Sequence, residues 1–220
     1  MTNMYEKYEN SEIIEKHCII SSKLIENGNN RRETFFPKLI NELNFKKGAE
    51  IGVDKGDFSY CLLDNTTIEN FYCIDPWIDN FGSDHRPGYF DPNGKNRMKD
   101  AENKLSSFSN KTTFIKDYSM NAYSKFDDSS LDFVYIDGDH SLEVFFDIYA
   151  WFSKVRLGGI ISGHDYKDGR NSGMKDYWGN QMDYKVKTSV DYFCSRYGLQ
   201  LNLVGGHVPS WWITKNRDTI

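Results

Sequence analysis

From residue 49 onward, five short apolar runs, AEIGV, FYCID, TTFIK, LDFVYID and GGIISGH, are separated by longer stretches whose apolar residues recur near a helical period. Each run is rich in β-branched or aromatic residues, and the rhythm describes a parallel sheet joined by crossover helices. The intervening helices are expected near residues 58–63, 96–108, 142–155 and 184–196. Near the end, LQLNLVGG alternates apolar and polar residues and a GGHVPS connection leads to WWIT, a pattern suited to an antiparallel pair closing the sheet. Two helices precede this pattern. Ile13, Ile14, Cys18, Ile19 and Leu24 mark one over 11–26, stopped by Gly28 with Asn29 and Asn30; Phe35, Phe36, Leu39, Ile40 and Leu43 mark another over 32–43. The organisation expected is an N-terminal helical extension, 1–47, and one α/β domain, 48–220.

A chain of 220 residues with 39% apolar content builds one hydrophobic core. The net charge of −5 lacks the basic surplus of a protein that grips a phosphate backbone, so no nucleic-acid partner is expected. Cys18, Cys61, Cys73 and Cys194 form no CxxC pair and no zinc spacing, and read as reduced thiols. No stretch has the length or apolarity of a membrane span, so a soluble, cytoplasmic protein is expected. Two long polar segments, 79–95 with His85, Arg86, Tyr89 and Phe90 and 165–183 with Tyr177, Trp178 and Gln181, read as loops that either cover the site as lids or are simply solvated.

In GAEIGVDKGDFS the first strand ends near Gly52 and a helix begins near Asp57, so Gly52 and Gly56 sit where backbone passes close to a bound molecule. The turn lacks both G-x-G-x-x-G and G-x-x-x-x-G-K-[ST], which removes the pyrophosphate and triphosphate fingerprints. Asp75 ends the second strand, where a carboxylate accepts hydrogen bonds from vicinal ribose hydroxyls. Further on, Asp137, Asp139 and His140 close the fourth strand, and His164 and Asp165 close the fifth. Neighbouring parallel strands bring these clusters together, and two carboxylates plus imidazole suit a divalent cation. Asp139 reads as a helix-capping carboxylate, and Trp151, Trp211 and Trp212 as core packing.

Glu50, Gly52 and Gly56 resemble motif I of class I S-adenosylmethionine-dependent methyltransferases, and the resemblance runs through the chain after the N-terminal helix. It implies a Rossmann-like seven-stranded, mostly parallel sheet of order 3-2-1-4-5-7-6, with strand 7 antiparallel and helices on both faces. It also implies that Glu50, Gly52, Gly56, Asp75 and Asp137 line the cofactor site, with Asp75 on the ribose and Asp117 near the adenine amine. For Asp117 a turn or capping role is an equal alternative.

The stretch LDFVYIDGDHSLEVFFDIYAWFSKVRLGGIISGHDY resembles macrocin-type sugar O-methyltransferases and, at its acidic positions, catechol and caffeoyl-CoA O-methyltransferases. That likeness implies magnesium held by Asp137 and Asp165, with His164 as candidate third ligand or, equally, a satisfied structural histidine, and His140 as the base that deprotonates an acceptor hydroxyl. Tyr166 stands where the catechol enzymes carry Asn, which leaves the third ligand open. The expected partner is a small hydroxylated acceptor such as a sugar, with the N-terminal helices placed to cover the site or to join a second subunit in a homo-oligomer. The alternatives are an NAD-linked oxidoreductase and a non-catalytic binding protein on the same fold.

Overall fold

The structure, a computed structural model, describes residues 10–77, 96–175, 181–206 and 208–217. The segment 79–95, with His85, Arg86, Tyr89 and Phe90, and the pair Tyr177 and Trp178 lie outside the described residues.

Helix α1, Ser11–Glu26, starts where the Asn10 side chain accepts the Ile13 N–H at 3.3 Å. It stops at Gly28, whose φ of 79° is the left-handed geometry that releases the chain. Helix α2, Arg32–Glu42, leads through a short turn into β1, Lys47–Ile51. The strands and helices then alternate: α3, Asp57–Asn65; β2, Asn70–Asp75; α4, Arg97–Lys104; β3, Thr112–Lys116; α5, Ser119–Ala122; β4, Leu131–Ile136; α6, Val144–Lys154; and β5, Val155–Gly163. After these come β6, Asp168–Lys175; β7, Gln181–Lys185; α7, Val186–Tyr197; β8, Leu201–Val204; and β9, Ser210–Thr214.

The main sheet has the order β3-β2-β1-β4-β5-β9-β8. The pairs from β3 to β5 are parallel, and β9 runs antiparallel to both β5 and β8. This is the expected Rossmann-like order, with β8 and β9 as the sixth and seventh strands of the sheet. Each face is packed by its own core. On one, Leu24 of α1 and Phe35, Phe36, Leu39 and Ile40 of α2 join Phe58 and Leu62 against Phe71, Phe133, Tyr135 and Trp212. On the other, Ile148, Trp151 and Phe152 of α6 join Val190 and Phe193 of α7 against Val134, Ile136, Ile161, Trp211 and Ile213. Trp151, Trp211 and Trp212 are almost fully buried, as core residues should be.

One segment departs from expectation. Residues 165–183 read as a loop, yet β6 and β7 pair antiparallel, with Asp168 opposite Lys185 and Gly169 opposite Tyr184. Tyr184, expected to open a helix, belongs to β7, and α7 starts at Val186. The strands form their own two-stranded sheet; β6, DGRNSGMK, carries no alternation to mark it, and QMDYK of β7 alternates over only five residues. Among the described residues no helix is long and apolar enough to cross a membrane.

Candidate active site

The parallel strands deliver their carboxyl ends to one cleft of about 990 Å³, the position where open α/β sheets bind ligands. At the β1 end, Gly52 has a φ of 89°, and a side chain there would collide with the backbone of Asp137 and Gly138. Glycine is required because the turns after β1 and β4 touch, in addition to any need of a ligand. Gly56, φ 78°, is the left-handed N-cap of α3 and is not among the residues lining the cleft. Its reason lies in the backbone geometry.

Glu50 is 2% exposed and takes a hydrogen bond from the Ser59 hydroxyl. Burial pushes its carboxyl up to about 8, against that hydrogen bond and with the help of the nearby Asp137 charge. Asp75 is locked by main chain: one oxygen accepts the Asp54 N–H at 2.9 Å and the other the Trp77 N–H at 2.7 Å. The Trp77 indole returns a bond to the Asp54 carbonyl at 2.8 Å. Both Asp54 and Trp77 sit at positive φ, 50° and 38°, a geometry that persists only where surrounding bonds enforce it. Burial raises the Asp75 carboxyl above its usual range, and the two backbone donors oppose the shift. Each oxygen keeps lone-pair capacity for a further donor.

The β4 and β5 ends are built from side-chain pairs. Arg32, the first residue of α2, donates from Nη1 to Asp137 Oδ2 at 2.7 Å, and its guanidinium lies 5.0 Å from the centre of the Phe58 ring. His140 Nε2 stands 2.6 Å from Asp165 Oδ2. Asp165 adopts φ 52° to present that oxygen, and although burial opposes its charge, the hydrogen bond and charge of His140 hold its carboxyl below the usual range. A carboxylate can only accept, so Nε2 carries the proton and a neutral His140 leaves its lone pair on Nδ1. That Nδ1 is buried and has no hydrogen-bond partner among the described residues. Tyr184 of β7 packs on the imidazole at 4.8 Å between ring centres, and the His140 carbonyl accepts the Lys185 N–H at 2.7 Å. Asp139 accepts the Ser141 N–H at 2.5 Å, a bond that closes the turn before α6; the helix itself starts from Glu143 without a side-chain cap, so Asp139 is a turn acid and not the expected helix cap.

His164 lines the same cleft, but its Nδ1 lies 3.0 Å from Ser210 Oγ, which in turn is 3.0 Å from the Tyr135 hydroxyl. Burial lowers its pKa, so His164 favours the neutral form. Asp117 also lines the cleft, with its carboxylate engaged by Lys125 at 2.7 Å, Asn121 at 3.0 Å and its neighbour's N–H at 2.9 Å. The bond from Lys125 pulls the Asp117 carboxyl below its usual range. Thus Glu50, Gly52, Asp75, Asp117, Asp137, His140, His164 and Asp165 share one cleft, and Gly56 is not part of its lining. Two contributors carry no motif: Arg32, read only as a helix start, and Asp147, which takes the Ser119 hydroxyl at 2.5 Å and is pushed by burial up to about 6. Asp147 was legible only as a carboxyl group on the apolar face of α6.

The lining holds ten aspartate and glutamate side chains, Glu50 among them as a buried acid, against three from lysine and arginine. Such a wall favours a cationic ligand over a pyrophosphate. For a divalent cation, the ligand atoms of Asp137, His140 and Asp165 fall within 4.8 Å of one another, while His164 stays outside this group on Ser210. The nitrogen in this geometric group is therefore that of His140, the residue the sequence suggests as a base. Two carboxylates with an imidazole fit manganese, iron or zinc better than magnesium, which prefers oxygen.

Residues 49–166, more than half of the chain and the stretch from β1 through the turn after β5, match the family model described as a methyltransferase domain. No curated protein matches the chain. Among solved structures it is similar to cofactor-bound Rv0187 from MTB, at 11% identity over 94% of this chain and 90% of that one, with a TM-score of 0.62. It is similar also to the O-methyltransferase from Bacillus cereus in complex with SAH, at 10% identity over 93% and 91%, TM-score 0.59. A third is the SAH-bound methyltransferase PaMTH1 from Podospora anserina, at 10% identity over 92% and 87%, TM-score 0.57. These likenesses speak for the fold, and the family match for the chemistry: the chain belongs to the methyltransferase-domain family.

Proposed function

We propose that this protein transfers a methyl group from S-adenosylmethionine to a hydroxyl oxygen of a small molecule such as a sugar or other polyol. The observation that carries the reading is the His140–Asp165 pair at 2.6 Å on the wall of the cleft, with the buried His140 Nδ1 lacking a hydrogen-bond partner among the described residues. A buried acceptor without a donor is uncommon, and an incoming hydroxyl would satisfy it. When bound, the sulfonium supplies an already activated methyl group. The protein's task is to hold the acceptor oxygen in line and to remove its proton.

In this reading Asp75 uses its remaining lone pairs on the ribose hydroxyls, Gly52 keeps the turn close, and Glu50 and Asp137 face the cationic end of the cofactor. Asp117 stands at the adenine end, where its local bonds to Lys125 and Asn121 fix it. The acceptor proton passes to His140 Nδ1 while Asp165 stays ionised and stabilises the imidazolium. A divalent cation bound by Asp137, His140 and Asp165 would add positive charge that lowers the pKa of a nearby hydroxyl, though His140 then holds the cation instead of the proton. The carboxylate-rich wall tells against the NAD-linked alternative. Turnover separates methyl transfer from non-catalytic binding.

The experiment is a screen of sugars, polyols and catechols for S-adenosylhomocysteine formation, with mass spectrometry of the product. An O-methylated product whose formation stops in His140→Ala fits the proposal. Methylation on nitrogen or carbon, or an undiminished His140→Ala enzyme, contradicts it.

A further inference from the structure

Arg32 enters this site from outside the methyltransferase match, which begins at residue 49. Its guanidinium is fixed on several sides: Nη1 on Asp137 Oδ2 at 2.7 Å, Nε on Glu33 at 3.2 Å, and one face against Phe58 at 5.0 Å. The side chains of Arg32 and Asp137 are only 25% and 19% exposed, so the pair is shielded from the screening that weakens surface ion pairs. A divalent cation gathered by Asp137, His140 and Asp165 needs the same carboxylate. With Arg32 in place and His140 neutral, these four side chains sum to one negative charge; without Arg32 they sum to two.

We propose that Arg32 is the resident cation of the site, so that a divalent ion at Asp137 binds against the guanidinium's charge and competes with it for the carboxylate. The N-terminal helices thereby set the metal affinity of the sheet edge they cover. A place for the displaced group exists: Arg32 also lines a neighbouring cavity of about 260 Å³, shared with Asn30, Arg31 and Glu33, and its Nε already contacts Glu33. The functional consequence rests on the methyl-transfer reading above: a site with its own fixed cation catalyses in the absence of added metal. The competition itself does not depend on that reading.

The test is a titration of the full chain with Mn²⁺ alone, read by the free-ion electron paramagnetic resonance signal. It uses the wild type, Arg32→Gln, Arg32→Lys and the double variant Arg32→Gln/Asp137→Asn. Arg32→Gln is expected to bind Mn²⁺ about tenfold or more tightly than the wild type, because a like charge is removed a few ångströms from the ion. Arg32→Lys keeps the charge and should stay within about threefold of the wild type. Adding Asp137→Asn to Arg32→Gln should abolish the gain. Equal affinity in wild type and Arg32→Gln would overturn the proposal, as would a gain that survives Asp137→Asn. Should Arg32→Gln fail to fold, Arg32→Met takes its place, with the same gain of about tenfold expected and wild-type affinity overturning the proposal. S-adenosylhomocysteine titration of the same samples keeps the two ideas apart, since its failure would count against methyl transfer and leave the Mn²⁺ comparison standing.

Discussion

The two halves of the sheet's carboxyl edge hold their acids by different means. At β1 and β2, Asp75 is fixed by the main-chain N–H groups of Asp54 and Trp77, and Glu50 by the hydroxyl of Ser59 nine residues away. At β4 and β5, Asp137 and Asp165 are fixed by charged or ionisable side chains, Arg32 from 105 residues upstream and His140 from the neighbouring strand end. The backbone donors on Asp75 hold its carboxylate still without a counter-charge, which suits a wall that attracts a cationic ligand, while Glu50 is kept as a buried acid on a neutral hydroxyl. Side-chain partners can move, exchange protons or be displaced, which suits the half assigned to chemistry.

The sharpest way to break this division is His140→Ala. It is expected to lower turnover by about a hundredfold or more, the usual contribution of a general base, while leaving S-adenosylhomocysteine affinity unchanged. Loss of both together, measured by kinetics and calorimetry, would mean that the two halves are not separable. Next is Gly52→Ala, which tests whether the halves are joined through backbone contact. The new methyl group would collide with Asp137 and Gly138 and would have to adopt φ 89°, so denaturation should report a loss of about 3 kcal/mol or more. A loss under about 1 kcal/mol would show that the turn relaxes freely.

Glu50 offers a titration within the first half. Its folded carboxyl is raised to about 8 from 4.5, so the folded state binds more protons across that window and loses stability as pH rises through it. Glu50→Gln removes this dependence. The stability of the variant relative to wild type should climb between pH 4.5 and 8 and level off above, as urea denaturation of ligand-free protein would show. A pH-independent difference would refute the raised carboxyl. The smallest effect is expected at Gly56→Ala. The nearest atoms to an added methyl are 3.4 Å away, leaving mainly the left-handed backbone at φ 78° to resist it. A loss of about 1 kcal/mol is expected in the same denaturation assay.

The same division governs what could be read before the fold was known. The strand ends of the first half lie within a few residues of their glycines and helices, so Glu50, Gly52 and Asp75 announce themselves by spacing alone. Asp137 and Asp165 were also legible, because a strand followed at once by acidic residues puts them at the sheet edge. Their partners were harder. Arg32 looked like an ordinary helix start, since nothing in its neighbours encodes that α2 packs Phe36 against Phe58 and Tyr135 and so carries Arg32 over β4. The β6–β7 hairpin was missed for a related reason: DGRNSGMK has neither alternation nor an apolar run, and its strands pair with each other outside the main sheet. His164 carried the right residue type at a strand end, yet its Nδ1 turned to Ser210, a contact set by the antiparallel return of β9.

The most direct test of the central claim is calorimetric titration of the wild type with S-adenosylmethionine and S-adenosylhomocysteine, each in EDTA and again with a divalent cation, alongside Asp75→Ala. The account predicts saturable, one-to-one binding of both ligands to the wild type and at least about tenfold weaker binding to Asp75→Ala, which loses the ribose contacts. Folded wild-type protein that binds neither ligand under either condition would contradict it.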